Sequence, residues 1–185
     1  MKRISTVVLL VLVTAAAAFS QEYKAFRVGV GLGYANASGK GAKGGALFYL
    51  EPGYRVSDQI LVNLRMEGAV IGRGYADESS VSVDVAALAS YTLNGQYYFN
   101  NNSFRPFVGA GLGMFSLASA SVSANSSGGS ETVAAATKIG FYPRLGFDAG
   151  HFTMSLDYNL VPETNGIKNS YLGVRIGGFF GGGKK

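Results

Sequence analysis

The residues of this chain that can do chemistry are charges sharing one face. Arg27, Arg55, Arg65, Lys138, Arg144 and Arg175, joined by Arg105, sit at alternate positions in apolar segments, and so do Glu51, Glu67, Asp84, Asp148 and Asp157. The two signs nearly balance. Charges held away from bulk water must be paired or hydrated. Two kinds of chemistry fit such a set. One is a salt-bridged plug with a structural role; the other is a gate whose pairs switch and let ions pass.

Other chemistry has little to work with. The chain has no Cys, which removes disulfides, thiolate metal sites and cysteine nucleophiles together. Its one His, His151, falls in a predicted turn. One His with scattered carboxylates makes no metal cluster, and no cofactor is expected. Gly29-x-Gly31-x-Gly33 and Gly109-x-Gly111-x-Gly113 lack dinucleotide-loop spacing and lie within strand-like segments. They read as small-side-chain strand faces.

The elements that must position these charges are strands. Phe26 to Tyr34 reads F-R-V-G-V-G-L-G-Y, apolar at every second residue with Arg and Gly between. That is the two-residue period of a β-strand. Seven further segments alternate likewise: about Ala46 to Val56, Ile60 to Val70, Val83 to Phe99, Arg105 to Leu117, Lys138 to Ala149, Phe152 to Leu160 and Tyr171 to Phe180. Each has about nine residues or more, enough for a tilted strand to cross a bilayer. A soluble sheet would carry Lys, Glu and Thr on its second face. Here that face is largely Gly, which weakens a strand but suits a face crowded by other groups inside a narrow closed barrel. The apolar face then points outward into lipid. A secreted lipocalin-like barrel would reverse the two faces; the Gly-rich second face and the Tyr and Phe near strand ends favour the membrane barrel. The predicted fold is all-β, an eight-stranded antiparallel up-and-down transmembrane barrel.

Met1-Lys2-Arg3 followed by an apolar run to Ala18 and Ala18-Phe19-Ser20 reads as a cleaved secretory signal peptide over residues 1–20, leaving residues 21–185 as the barrel domain. The mature chain keeps fourteen cations against eleven carboxylates, a net charge of +3. These are scattered rather than clustered on one element, which argues against a nucleic-acid partner.

Connector lengths alternate. Ser57 to Gln59, Asn100 to Ser103 and Gly150-His151 are short; residues 35–45, 71–82, 118–137 and 161–170 are long. Successive connectors of an up-and-down barrel fall on opposite rims, so all the short ones share one. Outer-membrane barrels have short periplasmic turns and longer extracellular loops. The expected placement is the cell outer membrane, with both termini in the periplasm and the long loops outside.

The chain resembles the small outer-membrane β-barrel family that includes the OmpA transmembrane domain and OmpX. The resemblance covers the whole mature chain and rests on F-R-V-G-V-G-L-G-Y, L-E-P-G-Y-R-V-S-D-Q, R-P-F-V-G-A-G-L-G and Y-L-G-V-R-I-G-G-F-F. It implies contact with outer-membrane lipid and lipopolysaccharide, assembly by the barrel-assembly machinery and a monomeric state. Members are structural, adhesive or weakly pore-forming. Many end on an aromatic residue read by that machinery, whereas this chain runs past Phe180 as Gly181-Gly182-Gly183-Lys184-Lys185, and no OmpA-like peptidoglycan-binding domain is expected after the barrel. His151-Phe152-Thr153 resembles the His-x-Ser pair of lipid A deacylases, but with Thr for Ser and on the opposite rim; a turn histidine is the better reading.

Face parity names two pairs. A three-residue turn at Ser57 to Gln59 sets Val56 opposite Ile60 and Glu51 opposite Arg65. A two-residue turn at Gly150-His151 sets Ala149 opposite Phe152 and Arg144 opposite Asp157, with Arg175 sharing Asp157. Opposed residues have Cβ atoms about 5 Å apart, so both sets are expected to pair. The function expected is a non-enzymatic scaffold displaying extracellular loops, for adhesion or envelope integrity. A narrow porin-like channel for ions or small solutes is the alternative.

Overall fold

The alternating segments pair into one closed sheet in the computed structural model, which describes residues 22–38, 42–77, 80–122, 131–163 and 168–185. The signal-peptide reading of residues 1–20 lies outside them. The strands are β1 (Phe26–Ala37), β2 (Ala42–Arg55), β3 (Ile60–Asp77), β4 (Ser80–Tyr98), β5 (Phe104–Val122), β6 (Glu131–Ala149), β7 (Phe152–Asn159) and β8 (Tyr171–Gly181). Each pairs antiparallel with the next, and β1 pairs with β8 from Arg27↔Gly181 to Ala37↔Tyr171, so the barrel closes without an edge at that seam. Closing that seam pairs the backbone groups of the first and last strands internally, as an apolar surround demands.

The faces divide as period two requires. Leu64, Leu93, Leu112 and Phe141 form one register row across β3 to β6, and Leu64, Leu93, Leu112 and Phe141 all stand exposed on the outer wall. Phe26, Tyr34, Tyr54, Tyr97, Phe99, Phe152, Tyr158 and Phe180 are likewise exposed toward the strand ends. Charged residues fill the inside instead: Arg55, Arg65 and Arg175 are among the largest fully buried side chains. That arrangement inverts a water-soluble protein and is stable only with lipid outside.

The Gly face has its reason in the aromatics that lie across it. Gly31 and Gly177 are opposed on β1 and β8. The Tyr49 ring occupies the space above both, and a Cβ built on Gly31 would stand 2.6 Å from Tyr49 Oη.

The turn at Ser57 to Gln59 keeps the expected register, since Leu50↔Met66 and Gly53↔Asn63 bracket Glu51 and Arg65, and Val56 N donates to Ile60 O at 2.9 Å. At the other named turn Ala149 pairs with Phe152, and Gly150 adopts a positive φ of 61°, the backbone a two-residue hairpin needs.

The strands depart from the sequence reading at the opposite rim. β3 to β6 run 18 or 19 residues, roughly eight more than a bilayer crossing needs. Stretches 71–77, 80–82, 118–122 and 131–137, read as loop, are strand. The lipid-facing apolar pattern stops near Val70, but an antiparallel ladder is held by backbone hydrogen bonds and continues without lipid. β6 and β7 behave differently: their pairing ends at Arg144↔Asp157, with one further bridge at Phe141↔Leu160. Beyond it the chain turns inward, and Val161 packs among Phe115, Tyr142 and Tyr171 in the lumen.

Candidate functional site: the charged lumen

Alternation puts one residue in two inside, and an eight-stranded barrel leaves room for side chains and little else. The lumen is filled in three layers.

The middle layer is ionic. Asp157 on β7 accepts hydrogen bonds through Oδ2 from Arg65 Nη1 on β3 and from Arg175 Nη1 on β8, and its Oδ1 lies 3.4 Å from Arg144 Nε on β6. Arg175 also donates through Nε to Glu67 Oε2 at 2.7 Å, with Nη2 2.6 Å from the same oxygen. Glu67 stands 3.7 Å from Arg65 Nε and accepts from the Tyr171 hydroxyl at 2.6 Å. Arg144 engages both oxygens of Glu51, the second at 3.3 Å. Three guanidiniums thus meet three carboxylates, and Arg65, Glu67, Arg175 and Asp157 close a cycle. The planar donor fork of Arg suits such multidentate contacts. Arg65 also lies over the Tyr142 ring, 4.1 Å from its centroid.

The register sets Glu51 opposite Arg65, yet these two do not pair. Glu51 reaches Arg144 and Arg65 reaches Asp157, each across the barrel: β2 to β6 and β3 to β7. The correction has a geometric cause. In so narrow a tube, long side chains from opposite walls meet as readily as neighbours do. Arg144 and Asp157, opposed on β6 and β7, are in contact, and so are Arg175 and Asp157.

On the loop-rim side of this layer, Leu47, Tyr49, Ile71, Leu88, Phe115 and Val161 form an apolar plug. Lys138 is half-buried on β6, opposite Phe115, and makes no ion pair with any described residue. Asp84 pairs by backbone with Arg73 and Ser121; its side chain lies outside the described residues.

The third layer lies at the turn rim. Arg27 Nη1 meets Asp148 Oδ2 at 2.6 Å and the Tyr98 hydroxyl at 2.9 Å, and that hydroxyl donates to Asp148 Oδ2 at 2.8 Å. Arg55 donates to Asp58 O at 3.2 Å and lies near the rings of Tyr23 and Tyr98. Arg105 lies over the same two rings, 3.9 Å and 4.3 Å from their centroids, and donates to the carbonyls of Asn100 and Asp58.

Tyr23 is a participant that strand periodicity missed, because it lies in an arm before β1. The arm is pinned by the Asp58 carboxylate, which accepts from the backbone N–H groups of Glu22 and Tyr23 at 3.0 Å and 3.1 Å. Gly181 and Gly182, with φ of 68° and 60°, turn the C-terminal tail back so that Lys184 bridges to Tyr23. Tyr23, 7% exposed, closes the mouth and donates to Asn101 O at 3.0 Å. His151 is exposed in its turn, its ring 5.3 Å from that of Phe179. Among the described residues no group of three or more His, Asp or Glu is placed to hold a metal ion.

Comparison with known proteins adds family and fold. A family model described as outer membrane protein beta-barrel domain matches residues 6–180. No curated protein matches. Among solved structures, Ail, the attachment invasion locus protein of Yersinia pestis, is similar with a TM-score of 0.58 at 17% identity, over 84% of this chain and 99% of that one. The outer membrane protein OprG of Pseudomonas aeruginosa is similar with a TM-score of 0.51 at 15% identity, over 87% and 98% of the two chains. At these identities the likeness is one of fold.

Proposed function

The chain belongs to the outer membrane protein beta-barrel domain family, and on that premise we propose that it is a plugged, non-enzymatic scaffold of the outer membrane that carries an extended β-structure beyond the lipid. One observation supports this most: the neutral ion-pair layer of Glu51, Glu67, Asp157, Arg65, Arg144 and Arg175 fills the lumen wall to wall. Asp148 and Arg27 extend the filling to the turn rim. In this reading the network is structural, and a narrow channel would require it to open.

The displayed part is the extension of β3 to β6. It faces outward if the short turns and both termini lie in the periplasm, the orientation that connector lengths favour. Adhesion or envelope integrity is the use such a display serves; the name of the Yersinia pestis protein, attachment invasion locus, describes one such use. Lipid and lipopolysaccharide contact the apolar belt. The β1–β8 closure favours a monomer. The barrel-assembly machinery would read Phe180, an exposed aromatic on the last strand.

Single-channel recording of the refolded protein tests this reading. The expected result is no steady conductance; a stable open level in the wild type would replace the scaffold with the channel.

A further inference from the structure

The barrel wall parts between β6 and β7 within the apolar belt. The two strands hold one register from Ala149↔Phe152 to Arg144↔Asp157 and again at Phe141↔Leu160. Pro143, between those points, has no N–H to give the ladder. Phe141 and Leu160 exchange hydrogen bonds of 3.2 Å and 2.8 Å. Beyond that bridge β6 runs on toward Glu131. Its neighbour leaves the wall at Val161, which is 4% exposed and packs in the lumen plug. Among the described residues no strand takes its place beside Ile139. The result is a notch of about 330 Å³, lined by Leu112, Ile139 and Phe141 on one side and by Leu160, Val161 and Pro162 on the other. Leu112, Ile139 and Phe141 are exposed on the outer wall, so the notch is continuous with the surface that lipid covers.

The backbone at the inward turn is satisfied from within the protein. Ser170 Oγ accepts from Val161 N–H at 3.2 Å and donates to Val161 O at 3.3 Å. Asn169 Nδ2 donates to Pro162 O at 2.7 Å. A chain that leaves its ladder inside an apolar surround needs such partners. With these groups met, the notch offers its occupant mainly carbon. We propose that it is a binding site for one lipid acyl chain, drawn from the leaflet nearest the long connectors. A flat wall touches an acyl chain on one side. Here a chain would meet β6 on one side, Leu160 and Pro162 on the other and Val161 beneath, with correspondingly more close contacts. The volume lies at the low end of the range for small-ligand sites. The proposal rests on the outer-membrane placement of the scaffold proposed above.

The test uses protein labelled at Ile, Leu and Val methyls, otherwise deuterated, in nanodiscs of dimyristoylphosphatidylcholine. Nuclear Overhauser contacts from the lipid chain are read at each methyl. Leu93, on the flat wall, should show them, and so should Leu160 and Val161 in the notch. Ile139→Trp enlarges an outward residue over the notch. It should remove the lipid contact to Val161 and keep that to Leu93. If this variant does not fold, the wild-type pattern still decides. Lipid contact at Leu93 with none at Val161 would overturn the proposal. So would contact at Val161 from water, or from a second copy of the chain in a mixed-label sample, in place of lipid. An unchanged Val161 contact in folded Ile139→Trp would overturn it too. Loss of lipid contact at Leu93 as well would strike the lipid-facing wall itself, and the proposal with it. The Leu93 signal thus separates failure of the notch from failure of the membrane reading.

Discussion

Asp157 is the residue on which the lumen most depends. Its carboxylate contacts three guanidiniums, and Asp157, Arg65 and Arg175 are almost fully buried. Removing one member of a buried ion pair leaves an uncompensated charge and costs about 3–5 kcal/mol. Asp157→Ala should therefore lower stability by about that much in urea titrations of the refolded protein. Arg65→Ala should be damaging for the same reason. The double variant should cost less than the two losses added, because the residues share one network. Additive, mild losses would mean that the lumen is hydrated and the pairs are weak. Glu51 bears on the same point from another side. The Glu51→Gln change should couple more strongly to Arg144→Gln, which it touches, than to Arg65→Gln, which it merely faces in the register; a thermodynamic cycle on each pair checks this.

At the scale of the element, the strands predict a gradient. The row Leu64, Leu93, Leu112 and Phe141 lies on the outer wall. An Arg placed on the lipid face costs about 2–4 kcal/mol at the midplane and about 0–1 near an interface. Leu93→Arg should therefore destabilise much more than Phe104→Arg, which sits at the turn rim as the first residue of β5. Equal effects in vesicle refolding would contradict a belt centred on that row. The connectors predict orientation. Ser103→Cys and Glu163→Cys lie in exposed connectors at opposite rims. A membrane-impermeant thiol reagent on intact cells should label position 163 and spare position 103. The reverse pattern would invert the barrel.

At the scale of the whole molecule, closure and filling act together. The sheet has no edge at the β1–β8 seam, because those two strands complete the ring. The ionic layer then ties β2, β3, β6, β7 and β8 to one another through side chains. Such a barrel should resist detergent until heated, and an unboiled sample should migrate apart from a boiled one on gels. Co-migration in both states would argue against the closed, plugged fold. The two terminal arms add a clasp across the mouth, with Tyr23 held by the Asn101 and Asn102 carbonyls.

Period-two alternation, two connector lengths and a Gly-rich second face carried the architecture, because a strand's facing is a local property of its backbone. The eight segments, their inner faces and the registers of two turns were legible for that reason. Arg144 and Asp157 were paired correctly because they are neighbours across one hairpin. Who else pairs with whom was not legible. Glu51 finds Arg144 and Arg65 finds Asp157 across a lumen whose width exists only once β1 has met β8. Tyr23 entered the mouth because the tail beyond Phe180 turned back to hold it, a contact between residues more than 150 positions apart. The extra length of β3 to β6 was hidden for a different reason. Lipid imposes the apolar pattern that sequence reading follows, whereas the backbone ladder outlasts the lipid. Local periodicity thus determined the wall, and only closure of the barrel decided what fills it.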